Sequence, residues 1–273
     1  MKRYMFFTFF CLQLLDVFSQ TSYSIPSSIS VANASVADVS NISPFQNPAI
    51  ISNAKHTQLS FLFENKYLIP ELATKNILVI IPSKHDSYGI SMSHYGFSIY
   101  HEVIVGASYA RNFYGKFNLG MQFNYHTAFF DEANQYNGII YPQIGLTIPF
   151  SNKLTFGFQV YNPFGSNIKG ESLTKYVPTV YSLGCNYKFS TDLYCNFQID
   201  KELSNNYRIA TGFEYMMMKT VRFKIGLYAH EFVIPCFGFG YDYKNFGFDI
   251  MTEIHPILGI CPIALLKINL FER

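Results

Sequence analysis

The 273-residue sequence has no tryptophan, and only 14% of it is charged, against about 25% in an average soluble domain. Its formal net charge is +2, so neither a polyanion such as nucleic acid nor a strongly charged substrate is implied as a partner. Beyond the first twenty residues no apolar run approaches the roughly 18 residues of a spanning helix. Cysteine is sparse. Cys11 lies in the leading segment, and the spacing of Cys185, Cys195, Cys236 and Cys261 matches no zinc pattern. Catalytic signatures are missing as well. His101-Glu102 and His230-Glu231 are adjacent pairs without the i, i+4 spacing of a zinc-binding helix. The stretch "GFGYDY" opens no helix, "NPFGSNIKGES" lacks the Gly-Lys-Ser/Thr of a phosphate loop, and Ser and His are too scattered for a triad. No enzyme, cofactor or metal site is therefore expected.

What is present begins with the leader. Met1-Lys-Arg-Tyr4 is a short basic region followed by an apolar run over 5–15, and Val17 and Ser19 stand at −3 and −1 of a cleavage point before Gln20. These features predict a secretory signal peptide over 1–19 and an exported protein. Residues 20–55 are rich in Ser, Asn, Ala and Ile, and Pro44 and Pro48 interrupt regular structure there. From residue 56 to 273 the chain is a succession of short alternating segments. Strands are expected near 58–67, 75–83, 87–98, 101–113, 116–129, 139–150, 153–162, 176–189, 192–201, 206–217, 220–230, 233–244, 246–255 and 261–271. Fourteen such strands suit an antiparallel transmembrane β-barrel. Tight links such as "NFYGK" and "YKNF" alternate with longer ones such as "DEANQYNG", which places short turns and both chain ends on the periplasmic side.

The two strand faces differ sharply. Phe117, Leu119, Met121 and Phe123 share one face, as do Val221, Phe223, Ile225 and Leu227; the opposite faces carry Asn118, Gln122, Asn124, Arg222 and Lys224. In lipid the apolar face looks outward and the polar face lines the lumen. Gly120, Gly145, Gly157, Gly184, Gly212 and Gly226 all have lumenal parity. Such a belt without side chains leaves room at one level of the lumen, either for residues 21–55 or simply for strong strand coiling. A hairpin centred on Met218 sets Glu214 opposite Arg222, with Lys224 and Asp242 extending the charge cluster; it would stitch the lumen or filter solutes. A hairpin centred on Ser190 brings Cys185 and Cys195 opposite each other, within reach of a disulfide or as two small apolar residues on one face; Cys236 and Cys261 carry the same open question.

The motif Asn47-Pro48-Ala49, preceded by "VADVS" (36–40), resembles the N-terminal segment of FadL-type outer-membrane proteins. The run "GFSIYHEVIVGASYARNFYGKFNLGMQFNY" is similar to the Bacteroidetes barrels of the PorV/PorQ group, and "YNPFG", "GFEY", "RFKIGLY" and "HPILG" follow in the order of such barrels. The resemblance implies a 14-stranded outer-membrane barrel with an N-terminal segment, including Asn47, Pro48 and Ala49, inside the lumen. It further implies either passage of small hydrophobic molecules or an accessory role in type IX secretion with secreted proteins as partners; a purely structural membrane protein is the third reading. For a transporter, Phe129, Phe130, Tyr136 and Tyr141 near the extracellular mouth are the candidate ligand contacts, and Pro142 and Pro178 mark where a lateral opening would form. An open porin is disfavoured, because neither a long constriction loop nor a ring of one charge sign is evident.

Overall fold

The computed structural model describes residues 28–130, 135–169, 174–203 and 207–272. The leader, residues 1–19, and the start of the following segment lie outside the described residues. Among the described residues there are sixteen strands: β1 (His56–Asn65), β2 (Ala73–Pro82), β3 (Asp86–Gly96), β4 (Tyr100–Phe113), β5 (Phe117–Phe130), β6 (Gln135–Pro149), β7 (Leu154–Tyr161), β8 (Ile168–Lys169), β9 (Thr174–Lys175), β10 (Val180–Lys188), β11 (Leu193–Glu202), β12 (Tyr207–Met217), β13 (Val221–Ala229), β14 (Val233–Tyr243), β15 (Phe246–His255) and β16 (Gly259–Glu272). Fourteen of them close into one antiparallel barrel, with β1 pairing both β2 and β16, while β8 and β9 form a separate ribbon. Closure removes every free sheet edge, the one arrangement that lets strands lie in lipid with their backbone groups satisfied.

Alternation along the strands fixes which face meets lipid. In β5, Leu119, Met121, Phe123 and Tyr125 are each 41–50% exposed, while Asn118, Gln122 and Asn124 between them are 4% exposed or less. The same inversion runs round the wall, from Phe61 and Ile90 to Leu183, Ile225 and Ile250. A hydrophobic coat around a polar, packed interior is the pattern of a transmembrane barrel.

The asymmetry between the two ends is narrower than the sequence suggests. Beyond the turn side, only the links 66–72 and 162–179 are long; those at 97–99, 230–232 and 256–258 are as short as the turns. The reason is that β5 and β6 continue as a tall hairpin, pairing from Asn118–Thr147 up to Phe130–Gln135. β10 likewise starts at Val180 rather than at Tyr176, because the preceding residues belong to a folded loop. Two hairpin registers also differ from expectation. Tyr187 lies opposite Cys195 and Cys185 opposite Phe197, and all four of Cys185, Cys195, Cys236 and Cys261 are free thiols. A 9-residue strand turning one position later than expected separates Cys185 and Cys195 along the ladder.

Leu183, 58% exposed in the middle of β10, provides a test of facing. Leu183→Arg is expected to destabilise the barrel in bilayers by about 2–4 kcal/mol, the cost of a cation near the bilayer midplane, whereas a water-exposed site would tolerate it within about 0.5 kcal/mol. Reversible urea unfolding in lipid vesicles measures the difference.

Candidate functional site

The lumen is occupied by the chain itself. Residues 28–55 thread between the strands, and the glycines explain how they fit. The six belt glycines form three cross-strand pairs: Gly120 with Gly145, Gly157 with Gly184, and Gly212 with Gly226. Each pair faces a different part of the segment. A Cβ at Gly120 would overlap the Pro48–Ala49 backbone, and one at Gly145 would overlap the Asn47 carboxamide. At Gly157 it would strike the Val36–Ala37 backbone, and at Gly184 it would lie 2.7 Å from the Val36 side chain. At Gly212 and Gly226 it would lie within about 2.6 Å of the Val31–Ala32 backbone. Contacts of that closeness exclude any side chain.

Polar groups then fix the segment in place. Asn47 is fully buried. Its carboxamide oxygen accepts from the Ala49 amide at 2.9 Å, capping the 3₁₀ turn Pro48–Asn53, and its nitrogen donates to the carbonyls of Val36 at 2.6 Å and Leu146 at 3.3 Å. Gln143 donates to the Pro44 and Phe45 carbonyls at 3.2 Å, and Gln198 accepts from the Val36 amide at 2.8 Å. Arg208, paired with Asp200 at 2.7 Å, donates to the Ala32 carbonyl. A segment with only short 3₁₀ turns thus has several of its buried backbone groups satisfied by lumenal side chains, as burial requires.

The structure brings Glu214, Arg222, Lys224 and Asp242 together but with different partners. Met216 rather than Glu214 faces Arg222, because the β12–β13 turn is centred one residue later than Met218. Glu214 therefore faces Lys224, their charged atoms 3.7 Å apart, and Arg222 pairs with Asp242 at 2.7 Å. Asp249 links the two halves, bonding Lys224 at 3.0 Å and Arg222 at 3.2 Å with no exposure of its own. Lys267 reaches from β16 to the Asn41 carboxamide at 2.7 Å, tying the network to the inner segment. Below it, at the turn side, opens a cavity of about 320 Å³ edged by Val39, Ile42, Lys55, Lys244 and Phe246.

The half of the lumen away from the turns is lined differently. Leu62, Tyr228, Ile234, Met251, Ile263 and Leu265 form one buried apolar cluster with Ile29, Ala32 and Ala34 of the segment. A second cluster joins Ala128, Tyr141, Tyr161 and Val180 to Ile168 and Val177 of the 162–179 loop. That loop folds into the mouth, anchored by Asn162, which donates to the Val177 carbonyl at 2.7 Å, and by the Lys175–Glu102 ion pair at 2.8 Å. Glu102 also bonds His126 at 2.8 Å. In the 230–232 link, burial and then the nearby Arg208 push the His230 imidazole down to about 4, so it is neutral at pH 7.

The candidate ligand contacts are dispersed. Tyr141 is fully buried with its hydroxyl on that of Tyr161. Phe129 sits on the other face of the wall, stacked on His101 with centroids 4.8 Å apart, because odd positions of β5 point outward. The side chains of Phe130 and Tyr136 lie outside the described part of the structure. Pro142 stands where β7 ends, its carbonyl accepting from Asn162 at 3.2 Å, and Pro178 lies in the folded loop, so neither breaks the closed wall. The Arg208–Asp200 pair is not among the sequence-based expectations; its signal is two inward positions flanking one short link. The Glu102–Lys175 contact spans 73 residues and leaves no trace in the sequence.

No protein-family model matches the chain, and no curated protein matches it in sequence. Solved structures do resemble it. The CymD monoaromatic hydrocarbon channel superposes with a TM-score of 0.67 at 9% identity, covering 93% of this chain and 100% of that one. A FadL homologue of Pseudomonas aeruginosa gives 0.61 at 11% identity, over 92% and 98%. The toluene transporter TodX of P. putida gives 0.59 at 9% identity, over 89% and 95%. At these identities the likeness establishes the FadL-like barrel fold.

Two substitutions test the interior. Gly145→Val is expected to expel Asn47 and to make residues 28–55 sensitive to protease in the folded barrel, while Met121→Val on the lipid face leaves digestion unchanged. Asp249→Asn should cost about 3–5 kcal/mol by leaving Lys224 and Arg222 buried without their shared partner. Adding Lys224→Met should recover part of that loss in the same unfolding assay.

Proposed function

We propose that this chain is an outer-membrane channel for small, mainly apolar molecules, held closed by its own residues 28–55. The observation that carries the reading is an apolar patch on the inner wall of the extracellular half, set among buried charged groups such as Glu64, Asp200, Arg208 and Glu253. Leu62, Ile234, Met251, Ile263 and Leu265 are inward-facing and each 6% exposed or less. An apolar wall lets a hydrocarbon-like solute replace the contacts of Ile29, Ala32 and Ala34, because the exchange is nearly neutral in buried apolar area. The fold neighbours described as a hydrocarbon channel and a toluene transporter support the same class of solute.

Passage in this scheme requires the segment to shift. It is held by side-chain hydrogen bonds and a few ion-linked contacts, not by a β-ladder. Such contacts are worth about 0.5–1.5 kcal/mol each, so a partial displacement is accessible where unpairing of a wall strand is not. The polar network of Glu214, Arg222, Lys224, Asp242 and Asp249 then forms the wall on the turn side. An accessory role in type IX secretion rests on the sequence resemblance alone.

Reconstituted vesicles test the proposal. The full chain is expected to admit a small aromatic such as toluene faster than protein-free vesicles correct for, as read by an encapsulated solvatochromic dye, and to leave sugar permeability unchanged. Removal of residues 21–50 should raise single-channel conductance. No toluene-dependent signal above the lipid background, with unchanged conductance of the truncated chain, would sink the reading.

A further inference from the structure

The six turns on one rim of the barrel share a feature that neither the strand pattern nor the lumen explains. Each holds a lysine in the turn or beside it: Lys84, Lys116, Lys153, Lys188, Lys219 and Lys244. All but Lys188 are exposed. Lys84, Lys116, Lys153 and Lys219 form no ion pair among the described residues. The acidic residues beside these turns are fewer: Asp86 is engaged by Tyr109 at 2.7 Å and by Arg111, Asp242 by Arg222, and Asp192 stands in the β10–β11 turn. On the opposite rim the short links read "FSI", "HEF" and "PIL", with no lysine, and "DEAN" is acidic; its lysines, Lys66, Lys169, Lys175 and Lys201, are grouped in or beside the 66–72, 162–179 and 203–206 links, and Lys175 is paired with Glu102.

Turn geometry does not ask for these residues. Lys219 and Lys244 have φ of 60° and 52°, and Met218 and Tyr114 have 53° and 55°. Two-residue hairpin turns with positive φ favour Asn and Gly, yet here large apolar or cationic side chains occupy those positions. Five of the six turns also carry an exposed apolar or aromatic companion. Tyr114 is 90% exposed, Met218 82%, Phe150 73%, Tyr243 55% and Phe189 53%. Four of the turns thus pair a solvent-reaching ammonium with an apolar or aromatic group at the edge of the lipid-facing coat, and a fifth sets Phe189 beside the half-buried Lys188. An aromatic girdle marks the depth of a membrane–water interface, and ammonium groups just beyond it lie at the level of headgroup phosphates.

We propose that this rim is a binding surface for the anionic phospholipid headgroups of the leaflet on the turn side, with the lysines as phosphate contacts and Tyr114, Phe150, Phe189, Met218 and Tyr243 set into the acyl boundary. The inference depends only on the spanning barrel and not on what crosses its lumen. Attraction of this kind is worth roughly 5-fold in affinity per lysine near an anionic surface. It would hold the barrel at a defined depth and orientation, and would retain a shell of anionic lipid on one leaflet.

Native mass spectrometry of the full chain in detergent, titrated with phosphatidylglycerol or phosphatidylcholine, reads this directly. The wild type is expected to retain phosphatidylglycerol on the order of 10-fold more strongly, with the preference falling as salt rises. A variant with Lys84, Lys116, Lys153, Lys219 and Lys244 all changed to Gln should lose it. A control with Lys66 and Lys201 changed to Gln on the opposite rim should keep it. Should the five-site variant misfold, a phosphatidylglycerol carrying a photoreactive headgroup, used on the wild type in vesicles, must label the turn peptides 114–116, 150–153 and 218–220. Equal retention of the two lipids by the wild type, an unchanged preference in the five-site variant, or labelling confined to the 66–72 and 162–169 side would each overturn the proposal.

Discussion

Lipid offers no hydrogen bonds, and that constraint organises the molecule. Every strand of the wall must find two neighbours, so the sheet closes. Closing fourteen strands leaves an interior wider than side chains alone can fill, since eight strands already suffice to be packed by side chains. A void of that size would hold either water or protein. Here residues 28–55 take the space, and the wall is shaped to receive them. Three pairs of glycines on adjacent strands clear the way for Asn47–Ala49, Val36–Ala37 and Val31–Ala32. Lumenal amides and charges, Gln143, Gln198, Arg208 and Lys267, take up the backbone and side-chain groups that the irregular segment cannot satisfy internally.

The interior is divided in character along its height. Toward the turns lies a charge network centred on fully buried Asp249. Toward the other mouth, apolar clusters contact the segment and the 162–179 loop. A charge network is costly to open because each partner removed leaves another buried and unpaired. An apolar contact is exchanged for another apolar contact at little cost. The apolar clusters share their half of the lumen with the Arg208–Asp200 and Glu102–Lys175 pairs, so it is the apolar patch between those charges, not the whole half, whose contacts exchange at little cost.

Much of this was legible in the sequence, and the reason is the two-residue period of a strand. One misjudged residue would have turned every side chain over, so the inward parity of Gly120 or Gln122 and the outward parity of Met121 followed from the pattern alone. Partners across a hairpin were harder. "MMMKT" has no Gly or Asn to mark its centre, and moving the centre from Met218 by one residue shifts the partner by two, from Arg222 to Lys224. The same shift separated Cys185 from Cys195. The lumenal contacts of residues 28–55 had no period to betray them: that a glycine clears space could be read, but not which residue fills it. Phe129 shows the opposite failing, where nearness to the mouth suggested a ligand contact and parity places the ring outside.

The occupied lumen is the claim on which the rest depends, and nuclear Overhauser contacts in the detergent-solubilised, methyl-labelled chain test it most directly. Cross-peaks from the Ala49 methyl to Gly120 and from the Val31 methyls to Gly212 are expected. Sharp random-coil signals for residues 28–55, with no contact to either glycine, would contradict it.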